Sequence, residues 1–230
     1  MIRSLPEFLS IASGMRSHLE AKGTPFDENG FPVLNKSSFL NEWPDLFVDY
    51  SHRNGKLVRD KSKTVLCFFR DDVANYRRFE RVFDDLPTYR EYMGVVETDI
   101  TVTADMDPEW QACIMCANAL FMAALAVNGV RVVPSTRCGA ASTSAFLGSV
   151  PHDVLWVSSS LGCASLTNDA DTSYLEKILR LRPSKLALYG KRDPAAEDQL
   201  SRMGVNWRAY SDVHSLYKKR ASSSGGHDKS

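Results

Sequence analysis

A continuous apolar run that stops at charges and passes at once into an amphipathic segment constrains this chain more than any other feature. Thr64 to Leu86 reads TVLCFFRDDVANYRRFERVFDDL. Val65 to Phe69 is apolar without alternation, the pattern of a strand buried on both faces. Arg70-Asp71-Asp72 ends it. Tyr76, Phe79, Phe83 and Leu86 then recur three or four apart, the spacing of one buried helical stripe, with Pro87 just past the helix end. The unit returns down the chain, with strands predicted at Gly94–Val102, Val130–Val133, Val154–Val157, Lys185–Leu188 and Val205–Tyr210.

Helical patterns fill the gaps. Asp107-Pro108 opens a helix to Val127 that is apolar nearly all round, which makes it the most buried one expected. Asn128-Gly129 ends it. A short helix is expected near Ser142–Leu147. Ser173 with Glu176 forms a capping box for the next helix, which Pro183 stops, and Asp193-Pro194 opens another to about Met203. Strands alternating with helices are the signature of parallel βα units. Right-handed crossovers put the carboxyl ends of all such strands on one rim, where α/β proteins bind ligands. The fold expected is α/β with a mainly parallel sheet. It is either barrel-like (TIM-like, complete or not), favoured by the simple succession of units, or open and doubly wound.

Residues 1–63 read as a lead-in packed on the main body. Ser4 and Glu7 cap a helix to Ala21, and a strand is expected at Leu46–Tyr50. Residues 64–217 form the repeat domain, and 218–230 a disordered low-complexity tail. Lys+Arg and Asp+Glu both number 28, so the net charge is zero, which argues against broad electrostatic binding of nucleic acid. Local basic clusters at Arg77-Arg78, Arg180–Lys185 and Lys218–Arg220 keep that reading open. No uninterrupted apolar run approaches the roughly 20 residues of a membrane span. MIRSLPEFLS lacks the apolar core of a secretory signal, and five cysteines without a framework fit a reducing compartment, so a cytoplasmic location is expected.

The residues that follow each strand are polar: Arg70, Asp71, Asp72, Asp99, Asp105, Ser135, Arg137, Ser158–Ser160, Tyr189 and Lys191–Asp193. Carboxylates from separate strands can converge there as general acid and base, or hold a divalent metal through oxygen. Asp99, Asp71 and Asp72 are the catalytic candidates; Asp105, Ser135, Arg137, Ser159, Ser160 and Tyr189 are the ligand-binding ones. Asp99 is the sharpest, because VVETDITV is an apolar stretch in which a purely structural strand would not place Asp. An acid just before a helix is commonly a cap, which is the plain reading of Asp71 and Asp72. Ser158–Ser160 with Gly162 reads either as an anion-binding loop or as a polar connector. Neither nucleotide-cradling glycine motif is present. Cys113 and Cys116 have C-x-x-C spacing but fall within the apolar helix, where small core residues are the default. The five histidines show no ligand spacing.

These residues resemble the domain-of-unknown-function family 4417, found in bacteria and their phages. The family's Asp-Asp pair after a strand and its Phe-Glu-Arg are similar to Asp71-Asp72 and Phe79-Glu80-Arg81. Its Pro-Asp-Phe-Ser resembles Thr98–Thr101, which keeps Asp99. Its Asp-Met-Pro resembles Asp105–Pro108, followed by an Asn at Asn118. Its Ile-Pro-Thr, Ser-Thr-x-Gly-Cys and Tyr-Gly are similar to Val133–Ser135, Ser159–Cys163 and Tyr189-Gly190. The resemblance runs from about Pro44 to Tyr210, and the order of the pieces carries it. Where the family tends to show Trp and then acids, this chain has Cys138, Gly139, Ala140 and Ala141. The resemblance implies a phage or mobile-element gene and brings no activity with it. Three functions therefore stand: an enzyme or small-ligand protein using the rim, a non-catalytic protein that binds a host or phage protein, and a nucleic-acid binder.

Overall fold

A computed structural model describes residues 2–159 and 174–224. The first helix, α1 (Leu5–Ala21), starts at Ser4, whose hydroxyl accepts the Glu7 amide at 3.4 Å. The Glu7 carboxylate turns back onto the Arg3 amide (2.8 Å), so the reciprocal arm of the capping box lands one residue early. Then come β1 (Leu46–Asp49), β2 (Thr64–Cys67), α2 (Asp72–Glu80), α3 (Leu86–Tyr89), β3 (Gly94–Val96), α4 (Pro108–Val127) and β4 (Val132–Val133). A 3₁₀ stretch, Ala141–Ser149, leads to β5 (Leu155–Ser159), α5 (Tyr174–Leu181), β6 (Lys185–Tyr189), α6 (Pro194–Arg202), β7 (Trp207–Tyr210) and α7 (Val213–Ser224).

All ladders are parallel, in the orders β1-β2-β3-β4 and β5-β6-β7. A bridge between Ser135 and Val157 sets β4 beside β5. Strand order follows the chain with no reversal. The sheets are open and do not close into a barrel, so the barrel-like arrangement favoured by the succession of units is not reached. No ladder among the described residues joins β7 back to β1. Those edges meet instead through side chains: the Tyr210 ring packs on Phe47 (4.8 Å), and its hydroxyl donates to the Pro44 carbonyl at 2.9 Å. β1 pairs residue for residue with β2, across the boundary expected at residue 63. Lys218–Arg220, expected in the tail, lie within α7.

Whereas the edge strand β7 is only partly covered, β2, β3 and β4 are buried on both faces, as their apolar runs require. One face packs on the helices around α4, where Phe68, Phe79, Tyr89 and Phe121 meet. The other gathers Phe47, Cys67, Val96, Val133, Val157 and Tyr189, one from each of the first six strands. α4 is capped by Asp107, which accepts the Glu109 amide at 2.9 Å. Its composition has no polar side to offer water, so it becomes the core helix. It is long and apolar enough to cross a bilayer (20 residues, mean hydropathy 1.7), yet 67% of that window is buried inside the protein.

Two elements depart from expectation. The helix after β2 stops at Glu80, and α3 restarts at Leu86 with Pro87 in its first turn. A continuous helix would set the Pro87 ring against the Phe83 carbonyl and lose a hydrogen bond. Phe83 therefore leaves the stripe and lies 38% exposed against the His18 ring. β3 ends at Val96, six residues early, because β4 has only two residues to pair with it. The Ser173–Glu176 capping box lies outside the described residues. Phe121→Ala should destabilise the fold by about 3–5 kcal/mol, since it empties the ring cluster between α4 and the sheet; urea unfolding would read it.

Candidate functional site

Because β3 ends so early, residues 98–101 must satisfy their backbone groups without a ladder, the Glu97 amide being the last to reach β4, at the Val133 carbonyl (3.2 Å). Two buried amides from the flanking helices do this. Asn118 of α4 accepts from the Thr98 hydroxyl (2.8 Å) and the Ile100 amide (3.3 Å), and donates to the Ile100 carbonyl (3.3 Å). Asn75 of α2 donates to the Asp99 carbonyl at 2.9 Å. Asp72 accepts from both the amide and the hydroxyl of Thr101, each at 3.0 Å. Thr98 and Ile100 thus turn toward α4. The side chain between them, Asp99, turns the other way and forms an ion pair with Arg137 from the exit of β4.

Asp99 is 5% exposed. Burial pushes its carboxyl up to about 6; the Arg137 guanidinium opposes that rise and the Asp72 charge adds to it. Two residues earlier lies a second buried acid, Glu97, 8% exposed. Burial pushes it up to about 8, against the Ser135 amide that donates to it at 2.6 Å, and the Asp99 charge pushes the same way. At neutral pH Glu97 therefore holds a proton while Asp99 is largely ionised. Two acids with protonation states driven apart by their surroundings are the arrangement from which acid–base chemistry is built.

Arg137 is positioned by its own loop. The Ser135 hydroxyl accepts the Arg137 amide at 3.2 Å. Gln111 of α4 accepts from the Ala140 amide (2.7 Å) and donates to the Met106 carbonyl (2.7 Å), tying the loop after β4 to the loop before α4. Gly139 lies so close that a Cβ there would come within 2.0 Å of the Gln111 side-chain oxygen.

The other predicted residues divide. Asp71 is the α2 cap, accepting the Ala74 amide at 2.9 Å. Asp72 is not a cap but the Thr101 anchor. Asp105 is exposed at the surface, held by Thr103, and does not join the site. Ser135 sits beside Glu97. Ser159 pairs in register with Tyr189 at the ends of β5 and β6. The Tyr189 side chain is buried in the strand-enclosed core, its hydroxyl bonded to the Cys67 thiol and to the Val213 amide. Ser160 lies outside the described residues. Sequence reasoning missed Glu97, although its spacing from Asp99 in VVETD marks it. It also missed Asp49, which closes β1. Among the described residues no group of three His, Cys, Asp or Glu is placed to hold a metal ion.

Fold and rim together define an open α/β protein on sequentially ordered parallel strands, with a carboxylate–arginine cluster at the strands' carboxyl ends. The chain belongs to the family described as a domain of unknown function, DUF4417, whose match covers residues 27–208. No curated protein and no solved structure matches it.

Glu97 and Asp99 bind protons more tightly folded than unfolded. Their stabilising contribution is therefore complete below their ordinary values of 4.5 and 3.8, and is lost as pH rises to about 8 and about 6. Glu97→Gln keeps the acceptor for Ser135 and removes the larger loss. Its unfolding free energy should fall less between pH 5 and 8 than that of the wild type, by on the order of a few kcal/mol, as read by denaturant titration at each pH. Gly139→Ala should cost about 1–3 kcal/mol in the same assay, by displacing Gln111.

Proposed function

We propose that this protein binds a small polar molecule at the carboxyl-end rim and exchanges a proton with it through Asp99. The observation that carries the reading is the buried Glu97–Asp99–Arg137 group, two acids 8% and 5% exposed, one paired with an arginine and the other held by the Ser135 amide. Two buried carboxyls carry a desolvation cost that a structural strand exit would avoid, and such departures cluster at working sites. Asp99 acts as the base. Arg137, 20% exposed on its side chain, orients the incoming molecule while holding Asp99 ionised. Glu97 stands behind as a proton reserve locked to Ser135. The Asn75, Asn118 and Asp72 bonds keep Asp99 from rotating away.

The test is thermal unfolding of wild type and Asp99→Asn against a panel of nucleotides, sugars, amines and divalent metals. A ligand of the native state raises the midpoint. The expected result is a class of compound that shifts the wild type, with the shift weakened at least tenfold in apparent affinity in Asp99→Asn. Equal shifts in both proteins, or none with any compound, would overturn the reading.

A further inference from the structure

We infer that the rim carries a second anchor, Asp49, which takes an organic ammonium group, so that the small molecule is an amine. This rests on the reading that the rim binds a small molecule, and goes beyond it to the ligand's class.

Asp49 closes β1 and pairs in parallel register with Cys67. It therefore shares the inward side with Cys67 and, two residues back, with Phe47. Its Oδ1 is fully used: it accepts the Ser51 amide at 2.8 Å and faces Arg70 Nη1 at 3.4 Å and His52 Nδ1 at 3.7 Å. Its Oδ2 is buried and has no hydrogen-bond partner. Capping the turn after β1 needs only Oδ1, which Asn or Ser would supply equally well. The second oxygen, and the charge, are surplus to that role. An unmet carboxylate oxygen out of water is costly until a donor reaches it.

The surroundings select the donor. Arg70 is a weak counter-charge: its contact is long, its side chain is 42% exposed, and it lies on the other oxygen. Next to this corner lies a cluster of rings, Phe47 against Tyr210 (4.8 Å) and Tyr189 (6.2 Å), and Phe69 against Tyr189 (5.2 Å). A carboxylate beside aromatic rings suits an organic cation. A neutral polyol would leave the charge uncompensated, and an anion would meet Asp49 and Asp99 together. β2 lies between β1, which ends at Asp49, and β3, whose exit carries Asp99, so the two acids stand on either side of the end of β2. An ammonium seated on Asp49 thus directs the rest of a short molecule toward Asp99. The turn after β1 and the start of α7 close the corner, through the His52–His214 ring contact and the Val213 amide on Tyr189.

The experiment is thermal unfolding of wild type, Asp49→Asn and Asp99→Asn with butane-1,4-diamine and benzylamine, and with butane-1,4-diol and benzyl alcohol as neutral counterparts. Asn caps the turn as well as Asp, so the Asp49 variant keeps its fold; its unliganded midpoint checks this. Support is a rise of about 2 °C or more with an amine in wild type, absent with its alcohol and lost in Asp49→Asn. Equal rises in wild type and Asp49→Asn, or an alcohol acting as well as its amine, would overturn the inference while the rim reading stands. The same holds if no amine acts but another compound shifts wild type and not Asp99→Asn. Silence from every compound would overturn both.

Discussion

The structure depends on two buried amides. Asn118 sits in a helix whose composition is otherwise apolar, and Asn75 in the helix that follows β2. Together they replace the ladder that β3 loses after Val96. Without them the backbone of residues 98–100 would be buried without partners, at a cost the fold could not absorb. With them the strand exit is held from the helix side, which leaves Asp99 to face Arg137. The position of the candidate base is thus set by hydrogen bonds made behind it.

That arrangement gives the rim its electrostatic character. The same low-dielectric interior raises both Glu97 and Asp99, but to different extents, because only Asp99 has a cation against it. Glu97 spends its hydrogen-bonding capacity on the Ser135 amide and so fastens β4 to β3 where their ladder ends. Arg137 belongs to a loop pinned from beneath by Gln111, with Gly139 fitted against it. α4 therefore holds both halves of the site, Asn118 behind the acid and Gln111 behind the arginine.

Much of the fold was legible in the chain. The apolar runs of the strands, the Asp-Pro starts at Asp107 and Asp193 and the glycine endings at Gly129 and Gly204 act through neighbours in sequence, and the structure keeps them within a few residues. Asp99 was legible too, as an acid in an apolar stretch. The ends of elements were not. Where β3 stops depends on the length of β4, more than thirty residues later, and where α2 stops depends on Pro87. Asp72 read as a cap because its partner, Thr101, is 29 positions away.

By itself the sequence determined the class of fold and the rim, since alternating buried strands and amphipathic helices admit few arrangements and parallel crossovers place all strand ends together. The tertiary structure alone decided that the sheet stays open, that Glu97 joins Asp99, and that Asp105 does not. It also set the protonation of the two acids and left one Asp49 oxygen unmatched. The physical reason is range. Propensity, capping and periodicity act over a few residues and can be read along the chain. Burial, charge pairing and hydrogen-bond satisfaction depend on which distant segments meet, and that is settled only when the chain has folded.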